Sequence, residues 1–465
     1  MRGRSVLRSW PTRAGTGTEL PDEAAPPAAA PDPAAILRSR NFVVVLLFAA
    51  IVGVVVSLAG WAFLELVHRT QVGLYQNLPD ALGYSSPPSW LYLLVLAVAG
   101  FPVAYAVSRL PGNGGHVPAH GLQMGGNEPN MVPGIVLAAF VTLTTGVVLG
   151  PEAPLIGMGA GIAVFFVQRT RRDAPPQLLL VMGAAGSFAA ISVIFGSPIV
   201  AAVLVIEASG LGGATLTLIL IPGLIAAGIG SLVFIGMANW TGLNTSAYSL
   251  VPLHLPAFSS VSWQDIGWAI ALGVAGAILT QAVRRIGLAG AGIAPKMPFV
   301  VLPLAGIVIA ALAILFSHTT THSANEVLFS GQDALPGLVD NPAAWSVGAL
   351  LMVLLCKGLA WGASLGTFRG GPTFPAIYLG AAGGIAASHL PGLSQTPAIA
   401  VGMAVMVVSF LKLPLSAIII ATALTAGAGL ALGPLIIVGT VTAYLVTLGL
   451  EGRLGERRAA VPVDS

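Results

Sequence analysis

A chain of 465 residues that is 56% hydrophobic and only 8% charged lies far from soluble domains, where about a quarter of residues are charged, and has the composition of an integral membrane protein. Its net charge of +3 is small and decides little, and no nucleic-acid partner is expected. A single cysteine, Cys356, excludes disulfides within the chain and makes a thiol redox centre improbable.

Residues 1–36 are rich in Pro and Ala, carry Arg2, Arg4, Arg8 and Arg13, and have little to bury, so a disordered tail is expected. No apolar segment begins before Phe42, so no signal peptide is expected. Arg38 and Arg40 stand before that segment and place the N-terminus in the cytoplasm by the positive-inside rule. Arg453, Arg457 and Arg458 place the C-terminus on the same side, which calls for an even number of crossings.

Apolar segments follow over 42–66, 91–109, 132–149, 154–168, 178–195, 198–208, 215–238, 265–283, 298–317, 343–360, 374–388, 396–410, 414–427 and 432–450. Several are too short to cross a bilayer upright, which takes roughly 20 residues. At membrane depth, unpaired backbone is tolerated only against protein or a water-filled cavity, so short segments broken by Gly and Pro predict broken helices around an internal path. Polar connections lie near 76–90, 239–264 and 318–341, the second being the expected join between two halves. The expected organisation is a membrane domain over 37–455, with repeats at about 42–238 and 262–450 and a short cytoplasmic tail at 456–465. No cytoplasmic regulatory domain is expected after it.

One stretch organises the rest. Gly150-Pro151-Glu152-Ala153-Pro154-Leu155-Ile156-Gly157 sets a carboxylate between two prolines and two glycines, flanked by apolar runs. An acidic residue at membrane depth is expensive and marks a functional site. Proline suits the start of a helix, so the stretch predicts a helix N-terminus with free N–H groups, an anion-attracting end that Glu152 could itself occupy. Gly371-Pro372-Thr373-Phe374-Pro375-Ala376-Ile377 repeats the phrase. Each copy is followed by a second matched pair, Gly196-Ser197-Pro198-Ile199 and Lys412-Leu413-Pro414-Leu415. Paired broken helices in two halves point to a transport site at the repeat interface.

Few other charges lie in the apolar runs. Glu65, His68 and Arg69 are expected to end the first helix and snorkel to an interface. Arg169, Arg171, Arg172 and Asp173 read as a surface turn. Lys357 lies deep, where an internal ion pair and anion steering stay open alternatives. Arg369, directly before Gly370-Gly371, either raises the local anion concentration or anchors a helix end. His116 and His120 have metal-ligand spacing, but Pro118 lies between them and no third ligand stands near, so no metal and no cofactor are expected. The loop Gly112-Asn113-Gly114-Gly115-His116-Val117-Pro118 ends in a proline able to open a helix.

Together these phrases resemble the CLC family of chloride channels and proton–chloride antiporters, of the bacterial type. Family motifs of the form Gly-Ser-Gly-x-Pro, Gly-x-Glu-Gly-Pro and Gly-x-Phe-x-Pro correspond, in order, to Gly114–Pro118, Gly150–Pro154 and Gly371–Pro375. Phe195-Gly196-Ser197-Pro198, followed by an apolar helix ending in Glu207, is also similar. The resemblance implies an all-α membrane fold of two inverted-topology repeats of tilted and broken helices. It further implies a homodimer in the plasma membrane with one anion pathway per subunit. Glu152 would be its gating glutamate, its carboxylate plugging the anion position until protonated. Gly114, Gly115, His116, Pro118, Gly150, Pro154, Gly371, Thr373 and Phe374 would line the path.

The departures are specific. Gly115 stands where the motif serine would coordinate the central anion, leaving His116 or backbone N–H groups to substitute. Pro151 and Ala153 flank Glu152, and Thr373 occupies the motif phenylalanine position, with Phe374 one step on. Tyr444, within the last apolar segment, reads as a packing residue rather than the family's inner tyrosine. The position of the antiporters' proton-carrying inner glutamate is Ala208, which favours passive conduction. Glu207 is read as a structural carboxylate with proton transfer as its alternative.

The resulting expectation is glutamate-gated transport of small inorganic anions, chloride foremost, by a channel of the voltage-gated type, the alternative being proton-coupled antiport. A multi-pass membrane enzyme would need a nucleophile–base pair or metal cluster at one depth, which these residues do not supply. A non-conducting scaffold would not need the intramembrane glutamate.

Overall fold

The computed structural model describes residues 37–123, 128–210, 213–243 and 249–459, the side chains of 213–215 and 453–459 excepted. The expected tail at 1–36 lies outside the described residues. The elements are helices throughout, and among the described residues the one β-feature is an isolated bridge.

The first repeat comprises α1 (Arg40–Val72), α2 (Ser89–Arg109), α3 (Val132–Thr144), α4 (Glu152–Thr170), α5 (Pro176–Phe195), α6 (Pro198–Ser209) and α7 (Gly213–Thr241). The second comprises α8 (Trp263–Ile293), α9 (Pro298–Thr319), α10 (Val347–Thr367), α11 (Thr373–Ala387), α12 (Gln395–Leu411), α13 (Pro414–Leu424) and α14 (Leu432–Ala459). Among the described residues nine helices are long and apolar enough to cross a membrane, while α3, α6, α11, α12 and α13 are shorter apolar helices.

The two halves pack by the same plan. In the first, α5 lies against α4, α6, α7 and α1; in the second, α12 lies against α11, α13, α14 and α8. The halves meet where corresponding elements touch, α2 on α9 and α6 on α13. Lipid offers no hydrophobic drive between helices, so close contact of small residues does the packing. Gly159 of α4 and Gly186 of α5 leave no space for a Cβ on either, and Gly380 of α11 and Gly402 of α12 repeat that contact. The polypeptide from Thr396 to Leu411 is consequently buried on every face, whereas Leu47, Leu94, Phe165, Leu232, Ile278 and Leu445 point outward, as lipid requires.

Helix starts fall into two kinds. Ser39, Ser197, Ser262 and Ser346 accept backbone N–H bonds at the starts of α1, α6, α8 and α10, satisfying donors that a helix end leaves open. The N-caps of α4 and α11 are Pro151 and Pro372, which have no side-chain acceptor to offer. Their N-terminal donors are left for partners outside the cap residue, and these two ends face each other.

Several expectations need correction. Glu65, His68 and Arg69 do not end the first helix: Glu65 and Arg69 pair at 2.7 Å within it, and the helical path continues through a π-turn at Gly73–Asn77 to Ala81, ending before the left-handed Gly83. The polar stretch 76–90 is therefore partly helical. Pro118 opens only a single 3-10 turn, Pro118–His120, because Gly121 takes a positive φ. Within 318–341 lies a short helix, Leu335–Asp340, with Leu335, Leu338 and Val339 buried. At the C-terminus α14 continues to Ala459, into the segment expected as a tail, and 460–465 lie outside the described residues.

Candidate functional site

The two matched phrases meet at the centre of the protein. Gly150 N–H donates to Gly371 O at 2.7 Å and Gly371 N–H to Gly150 O at 2.6 Å. This antiparallel bridge holds the N-termini of α4 and α11 against each other. Glu152, at the first turn of α4, is completely buried, and its Oε1 accepts the Thr373 backbone N–H at 2.5 Å. The carboxylate of one repeat thus caps the helix of the other, where the dipole and open N–H groups favour negative charge. Glu152 Oε2 and the Thr373 hydroxyl are buried without a partner of hydrogen-bonding geometry. Phe374 stacks on Phe195 at a centroid distance of 5.6 Å beside them.

Two cavities flank this junction. One, of about 390 Å³, is lined by the end of α1 and its extension (Leu64 to Gln76), by Ser323–Ala334, and at its floor by Leu149 and Pro151. The other, of about 590 Å³, is lined by Val107 and Ser108 at the end of α2, by the 112–117 loop, and at its floor by Ala153, Pro154 and Gly157, with Arg369 and Gly370. Two consecutive spanning helices cross in opposite senses, so α1 and α2 end on opposite faces. The first cavity is distal and the second proximal, relative to the face where α1 begins. Glu152 lies in sequence between the floor residues of the two.

In the proximal cavity the 112–115 backbone turns through positive φ at Gly112, Asn113, Gly114 and Gly115. Arg369, buried on the opposite wall, pins this loop: its Nε donates to Asn113 O at 3.2 Å and Gly115 O at 3.1 Å, and Nη1 to Phe368 O at 3.2 Å. Gly114, Gly115, His116, Pro154 and Arg369 therefore share one cavity, as Gly150, Glu152, Gly371, Thr373 and Phe374 share the junction. Pro118 is buried just beyond the loop and His120 is a further cavity residue.

Glu207 lies elsewhere. Its Oε1 accepts Leu415 N–H at 2.9 Å, and its Oε2 accepts Ser416 N–H and hydroxyl, both at 2.7 Å. It caps α13 from α6 and lines neither of these two cavities. Ala208 and Tyr444 pack against the apolar core.

Lys357 interacts electrostatically with the internal carboxylate of Glu326 without direct salt-bridge contact, and its hydrogen bonds go to backbone. Its ammonium donates to four successive carbonyls, Glu326 O at 2.9 Å, Val327 O at 3.2 Å, Leu328 O at 3.0 Å and Phe329 O at 3.3 Å, and lies 4.5 Å from the Tyr378 ring centroid. The Glu326 carboxylate instead accepts the Tyr378 hydroxyl at 2.6 Å. No periodicity or motif announces a carbonyl cage, since its ligands are backbone atoms. The Phe195–Phe374 stack was equally invisible, because the partners lie far apart in sequence.

The chain as a whole has relatives of known family and fold. The family model described as voltage gated chloride channel matches residues 99–448. The chain belongs to this family, the CLC proteins. This CLC chain is 26% identical over 369 residues to YfeO of Escherichia fergusonii, named as an ion-transport protein, covering 77% of the chain and 82% of the relative. YfeO of Escherichia coli O139:H28 is 26% identical over 370 residues, with the same shares covered. A slow cyanobacterial Cl−/H+ antiporter has the same fold with a TM-score of 0.70 at 17% identity, over 90% of this chain and 98% of that one. A CLC-type fluoride/proton antiporter follows with a TM-score of 0.64 at 18% identity, over 87% and 95%. The CLC chain is thus an integral membrane protein of the anion-transport family, with an all-α fold of two inverted repeats.

Proposed function

We propose that this CLC chain exchanges a small monovalent inorganic anion, chloride foremost, for protons, with Glu152 as the group that both blocks the path and carries the proton. The observation that supports it best is the position of Glu152: fully buried, capping the opposite repeat's helix, between cavities that open to opposite faces. An anion can pass only when that carboxylate leaves its donors. Moving an ionised carboxylate off its hydrogen bonds within a buried site is costly. A proton removes the charge and lets the side chain leave, so each passage is tied to protonation. Two structures of the same fold are named as proton antiporters, and this favours exchange over the passive channel that Ala208 suggested. Assembly as a homodimer in the plasma membrane accompanies this reading, with the termini on the cytoplasmic face.

The test is chloride efflux from liposomes carrying the purified protein, with external pH recorded. Proton uptake in fixed ratio to chloride efflux is expected. Chloride leaving without proton movement would restore the channel reading and give Ala208 its meaning, and no chloride flux would move the search to other anions.

A further inference from the structure

Glu326 has one carboxylate oxygen engaged and one open. Its Oε2 accepts the hydroxyl of the fully buried Tyr378 at 2.6 Å. Its Oε1, among the described residues, has no hydrogen-bond partner and is not sealed from solvent. The residue is half-buried in the lining of the distal cavity, whose floor is Leu149 and Pro151, next to Glu152. That cavity, of about 390 Å³, far exceeds the roughly 10–15 Å³ that holds one water. Gln71, Gln76, Asn325, Ser330 and Gln332 add polar groups to its walls. An open carboxylate in such a cavity, leading to a buried carboxylate, is the arrangement of a proton relay.

The backbone that carries Glu326 is fixed. Lys357 holds the carbonyls of residues 326–329, and Phe329 N–H donates to Gly146 O in the segment that leads to Glu152. Glu326 and Glu152 also bond the same helix. Their partners Tyr378 and Thr373 both belong to α11, about 7.5 Å apart along its axis. The other titratable groups lining the cavity are His68 and Tyr75, from α1 and its extension, and Asp333. Tyr75 is buried with its hydroxyl bound to Thr145 O, and Asp333 is exposed. Lys357 of α10 and Tyr378 of α11 stand against the segment from behind.

We propose that Glu326 is the distal proton-transfer residue of the exchange cycle: its carboxylate takes a proton from the distal solution and passes it through cavity water to Glu152. Glu326 returns to its ionised form, and Glu152 becomes neutral and leaves its donors. The reverse sequence releases the proton on the distal side. The inference rests on the exchange reading and adds to it the group that loads the proton.

The test is coupled chloride–proton exchange in liposomes at neutral pH, with the concentration of an impermeant buffer varied on both sides. Glu326→Gln keeps an acceptor for the Tyr378 hydroxyl but cannot carry a proton. It is expected to slow exchange about tenfold at low buffer and to keep the proton-to-chloride ratio. Its rate should recover as buffer rises, because buffer molecules then deliver protons directly. Wild type should be insensitive to buffer. Tyr378→Phe, which removes the hydrogen bond and keeps the carboxylate, should behave as wild type, and so should Asp333→Asn. An undiminished rate in Glu326→Gln overturns the proposal. So does a loss that buffer does not restore, or an equal loss in Tyr378→Phe, since either makes Glu326 an anchor of α11. Buffer dependence in Asp333→Asn instead of Glu326→Gln would also overturn it. A wild-type proton-to-chloride ratio of zero would defeat the exchange reading itself, and the relay with it.

Discussion

Gly150 and Gly371, matched positions of the two repeats, donate to each other's carbonyl at 2.7 and 2.6 Å and bring the starts of α4 and α11 together. The same two residues define the space of the Glu152 side chain. A Cβ on Gly371 would fall on the Glu152 carboxyl group, and one on Gly150 would meet Glu152 Oε2 and lie 2.7 Å from the Phe374 ring. Glycine is required here by the carboxylate rather than by backbone conformation, since neither residue has a positive φ.

Gly371→Ala is therefore expected to fold and to displace the carboxylate, because the clashing atoms are the end of a flexible side chain. The bridge and its two hydrogen bonds use only backbone. Flux in liposomes should persist with a reduced number of protons moved per chloride and a weaker response to pH. Wild-type proton-to-chloride ratio and pH response in the Ala variant would mean that Glu152 keeps its seat by some other adjustment.

Glu152→Gln removes the proton-binding group while keeping its size and a hydrogen-bonding oxygen for Thr373 N–H. The expected outcome is anion flux independent of pH and proton movement near zero, with the melting temperature in detergent close to wild type. The sign follows from the site: protonation of wild-type Glu152 lets it leave, so flux rises as pH falls, and the glutamine stands permanently in the uncharged state. A pH response that survives in the reconstituted variant would take the gate away from Glu152.

Much of this was legible in the sequence, for physical reasons that differ by residue. Proline at a helix start and glycine beside it leave a pattern, so Pro151, Pro154 and their echoes at Pro372 and Pro375 point to two helix starts whose N-cap residues offer no side-chain acceptor. That the Glu152 carboxylate would accept the Thr373 N–H and cap the helix of the other repeat required the fold, because only the fold sets the ends face to face. The length of α1 was misread because Glu65, His68 and Arg69 look like an interface, whereas Glu65 and Arg69 satisfy each other along one helix. Lys357 was found by its charge and its partners were not, since four backbone carbonyls carry no sequence signal.

Lys357→Met is expected to destabilise the protein by about 3 kcal/mol or more, because buried carbonyls of residues 326–329 lose their donor. Lys357→Arg should not rescue it, as a planar fork cannot replace a point-like ammonium ringed by acceptors. Thermal unfolding in detergent measures both. The 326–329 segment also donates Phe329 N–H to Gly146 O and packs Phe329 against Tyr75 near the distal cavity, so transport should fall together with stability. Equal melting temperatures for wild type and Lys357→Met would contradict the cage as a structural tether.

Glu207 has both oxygens engaged by the start of α13. Glu207→Ala should cost about 1–2 kcal/mol, the magnitude of a lost N-cap, and leave the proton-to-chloride ratio as in wild type. Glu207→Gln, which retains an acceptor, should lose less. A variant that keeps its stability but loses proton movement would instead make Glu207 a proton carrier.

Arg369 tests electrostatics in the proximal cavity. A guanidinium without a carboxylate partner among the described residues gives the cavity a fixed positive potential, and low-dielectric walls focus it. Arg369→Gln should lower chloride flux about tenfold at low ionic strength. The deficit should narrow as salt rises, because the Debye length shrinks from about 30 Å at 0.01 M to about 8 Å at 0.15 M. The guanidinium also holds the carbonyls of Asn113 and Gly115, so Arg369→Lys, which keeps the charge and changes the hydrogen bonds, separates the two roles. Flux in the Lys variant near wild type would make charge the dominant contribution. A salt-independent deficit, equal in Gln and Lys, would reduce Arg369 to an anchor of the 112–117 loop.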